Sequence, residues 1–173
     1  MNVDEVIVVN EKDEVLGYTD KMEAHRKGIL HRAISVFIFN TSGEWLLQKR
    51  ASHKYHSSDL WSNTACTHPL KDETELEAAN RRLNQEMGMT ATLKKVFDFQ
   101  YKAHLDNELI ENELDHVFVG ITDEEPVVNP EEVSNFGYLS TEELESAMNK
   151  HPENFTEWFK LLFDRVNQEI SKQ

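Results

Sequence analysis

Residues 74–88 carry a complete set of instructions for one helix. Thr74-Glu75-Leu76-Glu77 is a capping box, so a helix starts near Glu75. Leu76, Ala79, Leu83 and Met87 recur at helical spacing as its buried stripe, and Gly88 supplies the stop. A helix bounded this firmly, set among short β-rich segments, leaves few architectures open.

The flanking segments are strands. Val6–Val9 and Val15–Tyr18 surround the polar turn Asn10–Glu14 and read as a hairpin. Thr19-Asp20 opens a short helix to about Arg26, which Gly28 ends. Arg32–Phe39 and Trp45–Gln48, joined by Asn40-Thr41-Ser42-Gly43, form a second hairpin. Val96–Tyr101 and Ile110–Ile121 are strands around the polar loop His104–Glu108. Pro126 and Pro130 break the loop Glu124–Asn135, and Phe136–Leu139 is a short strand. Ser140 through Glu143 caps another helix, which ends before Pro152. Asn154 through Glu157 repeats that logic for a last amphipathic helix carrying Phe155, Phe159, Leu162, Val166 and Ile170. Strands and helices mix without strict β-α-β alternation, so the expected class is α+β. With 173 residues and no repeat or linker, one domain is expected.

Charge excludes some functions. A formal net charge of −14 argues against general binding to nucleic acid or an anionic membrane. Any anionic ligand must find a local cationic cluster. The single cysteine rules out an internal disulfide framework and fits a reducing compartment. Met1 to Glu5 is acidic, and the apolar run Val6 to Val9 is too short for a signal peptide. No segment approaches the ~20 apolar residues of a membrane helix. A soluble, cytoplasmic protein is expected.

Chemistry concentrates in a few places. Trp61-Ser62-Asn63-Thr64-Ala65-Cys66-Thr67-His68-Pro69 sets a thiol and an imidazole at i, i+2, on one side of an extended backbone. One of the pair can do acid/base or nucleophilic work while the other binds metal. The plain alternative is an inert buried thiol. Glu111 and Glu113 fall on one face of their strand, roughly 6–7 Å apart. Like charges so placed repel unless a cation lies between them or they face water. Val117 and Val119 continue that face as apolar residues, which favours a cleft beside the core over a solvated face reaching Asp115. With His25, His31 and His68 these glutamates make a donor set suited to Mn²⁺, Mg²⁺ or Zn²⁺. His53, His56, His104, His116 and His151 read as structural or solvent-facing. Lys21, Lys49, Arg50, Lys54 and Arg82 are available to an anion, each a solvated surface residue by default. Arg82 and Glu86 stand at i, i+4, in the weaker orientation for a plain surface pair.

Arg81 to Met89 resembles the signature helix of Nudix proteins. Glu73, Arg81, Leu83, Glu86 and Gly88 match that pattern. Arg82 and Gln85 stand where glutamates belong, and Thr67 replaces the leading glycine. Nudix pyrophosphohydrolases use those glutamates to hold Mg²⁺ and activate water, so their loss speaks against hydrolysis while keeping the fold. From about Val6 to Phe163 the chain resembles the type I isopentenyl-diphosphate isomerases, metal-dependent enzymes on the Nudix fold. The resemblance is carried by the Trp61–Pro69 motif, by Glu111-Asn112-Glu113 and by the His25/His31 pair. Departures are Thr67, where glycine or serine is common, and His56-Ser57-Ser58-Asp59, which lacks a Pro-Gly turn.

The resemblance implies a compact Nudix domain with a mixed central sheet flanked by helices. It implies that Cys66 and Glu113 are the catalytic pair on opposite faces of a C=C bond, with Tyr101 near Glu113 and the Trp158 ring facing the hydrocarbon tail. By itself Trp158 is equally an ordinary apolar residue of an amphipathic helix. The implied metal ligands are His25, His31, His68, Glu111 and Glu113, with Glu86 helping to hold a second Mg²⁺ against the diphosphate. Lys21, Arg50, Lys54 and Arg82 are the implied diphosphate clamp. The implied substrate is a small diphosphate and the implied assembly a monomer or homodimer. A Nudix pyrophosphohydrolase and a non-catalytic diphosphate- or metal-binding module are the other readings.

Overall fold

The computed structural model describes residues 4–173. Met1 to Val3, read as part of the acidic N-terminus, lie outside the described residues. Among the described residues nine strands form one mixed sheet. They are β1 (Glu5–Val9), β2 (Val15–Asp20), β3 (His31–Phe39), β4 (Trp45–Arg50), β5 (Trp61–Ser62), β6 (Ala65–Thr67), β7 (Lys94–His104), β8 (Ile110–Ile121) and β9 (Val133–Leu139). The helices are α1 (Lys21–Lys27), α2 (Glu75–Met87), α3 (Thr141–Lys150) and α4 (Glu157–Ser171).

Strand β3 organises the sheet. Along one edge it pairs in parallel with β8, His31 opposite Glu113 through Phe39 opposite Ile121. Three short partners share its other edge: β1 at His31, β6 at Ile34 to Val36, and β4 at Ile38 and Phe39. Ser35 lies opposite Cys66. On the far side of β8, β7 runs antiparallel with Tyr101 opposite Glu113. These registers bring His31, Tyr101, Glu113 and Cys66 to one end of the sheet. Each β residue alternates faces. Phe37, Phe39, Val117 and Val119 therefore pack with Phe159, Leu162, Phe163 and Val166 of α4. Ile34, Val36, Ile38 and Phe118 pack with Ala78, Ala79, Leu83 and Met87 of α2 on the opposite face.

Local chemistry sets the helix limits. Thr74 and Ser140 both close capping boxes, and Asp20 accepts from the Glu23 amide at the start of α1. Gly28 and Gly88 end α1 and α2 at φ 67° and 61°, the left-handed region that favours glycine. At Gly88 a Cβ would stand 2.4 Å from the Val127 carbonyl oxygen, so space as well as φ selects glycine.

Three expectations change. Leu76 is 46% exposed, and Ala78 takes its place in the stripe because small side chains let α2 lie close on the sheet. Asn154 does not cap α4. It sits in a 3₁₀ turn, Thr156 takes the cap position, and the Thr156 hydroxyl is engaged with Ser62 instead. Phe155 thus precedes the helix and bridges to Trp61. Strand β9 starts at Val133, inside the expected loop, because β4 supplies a pairing edge there.

Candidate active site and metal centre

A cleft of about 460 Å³ opens where β3, β6, β8 and α2 meet. Its walls include Lys21, Arg50, Lys54, Cys66, His68, Arg82, Glu86, Tyr101, Glu111, Glu113 and Trp158. His25 and His31 lie fully buried behind it.

The histidine orientations bear on the metal. The His25 and His31 Nδ1 atoms lie 2.7 and 2.8 Å from the carbonyl oxygens of Lys21 and Ile29. A carbonyl only accepts, so both Nδ1 carry the hydrogen and both Nε2 present a lone pair. Those two Nε2 atoms are buried and have no hydrogen-bond partner. His31 Nε2 lies 3.3 Å and His68 Nε2 3.2 Å from the same oxygen, Glu113 Oε1. The His31 lone pair facing a carboxylate oxygen at that range repels unless a cation lies between them. One donor atom each from His25, His31, His68 and Glu113 falls within 4.8 Å of the others. Imidazoles fixed by backbone carbonyls, with inner nitrogens converging on a carboxylate, are the donor set of a divalent transition-metal ion.

Protonation in the metal-free protein follows from the neighbours. Burial works against charge on Glu113, but the His31 and His68 imidazoles set against its carboxylate prevail and hold it well below the usual carboxylate range. Burial, with the Glu113 charge beside it, pushes Glu111 well up. Tyr101 Oη lies 2.9 Å from both Glu111 Oε2 and Glu113 Oε2. One hydroxyl hydrogen serves one acceptor at a time, so the Tyr101 hydroxyl is shared between the two glutamates. Burial lowers His68 to about 4, outweighing its bond to Glu113.

Cys66 stands on the other side of β3. Its thiol lies 3.3 Å from Asn63 Oδ1 and 3.9 Å from Ser35 Oγ. Burial, then the nearby Asp115 and Glu86 carboxylates, pushes it up, so it is a thiol at neutral pH. The Asn63 amide donates to the Val36 and Ala65 carbonyls, which fixes its oxygen to accept from the Trp158 Nε1–H at 3.0 Å. Trp158 therefore presents its indole to the cleft with the ring plane set.

The cationic residues gather as expected, though their partners differ. The Arg50 guanidinium donates to the backbone of Ser57 and His56 and lies 5.2 Å from the Trp158 ring centroid. Lys21 stands 4.9 Å from the Tyr55 ring. Arg82 pairs with Glu86 at 2.9 Å, occupying the position where a hydrolase helix places a metal-binding glutamate. Lys49 does not line the cleft.

Several residues escaped the sequence reading. His56 is buried, with Nε2 3.7 Å from Glu111 Oε1, and with His25 and Glu111 it forms a second possible ligand group. It belongs to the cleft rather than to solvent, because the 51–60 loop folds back over Trp158. Burial, then the Arg50 charge, lowers it to about 2. Asp115 continues the glutamate face but is fully buried, donated to by Ser35 at 2.6 Å, with its second oxygen unpartnered. Glu132 lines the cationic end. The alternation Glu111, Glu113, Asp115 was the available signal for Asp115; His56 and Glu132 sit in loops without one. His53, His104 and His151 are exposed as expected. His116 points to the opposite face, near Asp13, Asp98 and Glu75, where Arg32 supplies the countercharge. Among the described residues no helix is long and apolar enough to cross a membrane.

Comparison with known proteins agrees with this geometry. Residues 29–159 match the NUDIX domain model. An isopentenyl-diphosphate Delta-isomerase of Pectobacterium atrosepticum is 51% identical over 96% of this chain and 93% of its own length. Another, from Aromatoleum aromaticum, is 48% identical over 94% and 92%. Among solved structures, a Deinococcus radiodurans protein superposes with a TM-score of 0.71 at 20% identity, covering 84% of this chain and 89% of that one. A MutT protein from Methanosarcina mazei gives 0.66 at 18%, covering 81% and 94%. At those identities the structural likeness speaks for the fold alone. The chain belongs to the Nudix domain family and, within it, to the isopentenyl-diphosphate Delta-isomerases.

Proposed function

We propose that this protein interconverts isopentenyl diphosphate and dimethylallyl diphosphate, and that Cys66 and Glu113 move the protons. The carrying observation is that the two groups reach one cleft from opposite edges of β3, Cys66 on β6 and Glu113 on β8, with a cationic end beside them. The reaction adds a proton to the terminal carbon of the double bond, forms a tertiary cation, and removes a proton from the carbon on the other side. It is reversible, so each group acts as acid in one direction and base in the other. The Tyr101 hydroxyl keeps a hydrogen within reach of Glu113. Water would capture the cation, so the reaction needs a dry site, and the indole quadrupole of Trp158 stabilises positive charge, worth about 2 kcal/mol when desolvated.

His25, His31, His68, Glu111 and Glu113 would hold a Mn²⁺, Mg²⁺ or Zn²⁺ ion, and Glu86 a Mg²⁺ against the diphosphate. A bound ion supplies positive charge that fixes the carboxylates and neutralises the phosphate oxygens. Lys21, Arg50, Lys54 and Arg82 bind the diphosphate, and Arg50 also braces Trp158 and the 51–60 loop. The protein acts in the cytoplasm, as monomer or homodimer, without nucleic acid or membrane partners. The test is conversion of isopentenyl diphosphate by purified protein, with metal removed by chelation and then restored. Conversion that stops on chelation and returns with metal supports the reading. Release of phosphate from diphosphates, insensitive to Cys66→Ala, would instead select a pyrophosphohydrolase.

A further inference from the structure

The cationic end of the cleft already holds an anion of its own. Glu132 Oε2 accepts from Lys54 Nζ and, at 2.9 Å, from Arg82 Nη2. A single oxygen thus takes hydrogen bonds from two of the four cations expected to bind diphosphate. The placement is rigid. The Glu132 amide donates to the Asn129 carbonyl at 3.0 Å, and its own carbonyl accepts from the Ala51 amide at 3.1 Å, just past the end of β4. The side chain is 27% exposed, and Lys54 and Arg82 are 15% and 20% exposed, so the three charges meet at the mouth of the cleft.

We infer that Glu132 is an internal stand-in for a diphosphate oxygen, which holds Lys54 and Arg82 in a preformed clamp and must yield them when the substrate's diphosphate arrives. The inference rests on the reading of this end of the cleft as the diphosphate site. A phosphate oxygen takes the same hydrogen bonds from ammonium and guanidinium as a carboxylate oxygen does. Each such contact the substrate gains is offset by one that Glu132 gives up, and the displaced carboxylate stays nearby and repels. Glu132 therefore weakens diphosphate binding while keeping the clamp ordered. An isomerase benefits from that balance. Its substrate and product carry the same diphosphate, so a tighter anchor binds ground and transition states alike and only slows release.

The experiment is titration calorimetry of the full chain with inorganic pyrophosphate, with and without Mg²⁺, comparing wild type with Glu132→Gln and Glu132→Asp. The glutamine variant is expected to bind pyrophosphate about tenfold more tightly, the scale of removing one unit charge a few ångström from an anion at a partly exposed site. The aspartate variant keeps the charge but is one methylene too short to hold both cations, and is expected to tighten binding by a smaller factor. It also serves if the glutamine variant fails to fold. In turnover, KM for isopentenyl diphosphate falls in both variants and kcat does not rise. Unchanged or weaker pyrophosphate binding in the folded variants overturns the inference. Because the titration needs no turnover, a wild type that fails to isomerise sinks only the functional reading, and a failed titration sinks only the role of Glu132.

Discussion

Tyr101→Phe is the sharpest single perturbation of the carboxylate side of the cleft. The tyrosine is 6% exposed and its hydroxyl lies 2.9 Å from one oxygen of each glutamate. Phenylalanine keeps the ring and its stacking on Phe99, at 6.0 Å between centroids, so packing is preserved. What disappears is one hydrogen shared between two buried acids. Glu113 retains His68, but Glu111 is left with His56 at 3.7 Å, too far for a hydrogen bond. A hydrogen bond to a charged group contributes about 1.5–3 kcal/mol, so kcat is expected to fall about 10- to 150-fold. KM should change little, because the cations that bind diphosphate do not touch Tyr101. The assay is isomerase turnover with the product trapped, alongside urea unfolding of the metal-free protein, which should lose about 1–3 kcal/mol. A kcat within twofold of wild type, with the fold intact, refutes the claim that Tyr101 mediates between Glu111 and Glu113.

Other consequences are independent of that one. Gly88→Ala combines a φ of 61° with a Cβ 2.4 Å from the Val127 oxygen, and is expected to destabilise by at least about 2 kcal/mol in chemical denaturation; a loss below about 0.5 kcal/mol would remove the argument for glycine there. For the metal-free protein, His68 is held neutral down to about pH 4, whereas the unfolded chain takes up its proton near the ordinary imidazole value of 6.5. More protons are then bound by the unfolded state in that window, so the His68 contribution is complete above 6.5 and lost as pH falls toward 4. The shift amounts to about 3 kcal/mol. His68→Gln should flatten the fall in stability across that range, and an identical slope in both proteins would contradict it.

Much of this arrangement is legible in the sequence because it is written in short-range chemistry. Capping boxes at Thr74 and Ser140, and glycines at 28 and 88, act within one helical turn, and they set three helices to within a residue or two. Strand β8 matches its expected limits, Ile110 and Ile121, because the polar loop His104–Glu108 bounds it on one side and the β-rich run through Val117–Val119 carries it to the other. The cleft residues carried by motifs also converge, because β3 registers His31 with Glu113 and Ser35 with Cys66. What escaped depends on partners far along the chain. Glu132 meets Lys54 across 78 residues and Arg82 across 50, a relation no local pattern encodes. His56 acquires its place only when its loop closes over Trp158, 5.8 Å away. Asn154 reads as the cap of α4, but the fold puts Thr156 in that position with its hydroxyl 3.0 Å from Ser62, which leaves α4 without a side-chain cap.

The most direct measurement is the fate of hydrogen during turnover in D₂O, followed by NMR with isopentenyl diphosphate and divalent metal. If a thiol and a carboxylate on either side of the substrate carry the protons, deuterium from solvent enters the new methyl group of dimethylallyl diphosphate in wild type. Cys66→Ala and Glu113→Gln should each bring turnover close to zero. Product that forms without deuterium, or full turnover in either variant, would contradict the two-sided proton transfer on which the account depends.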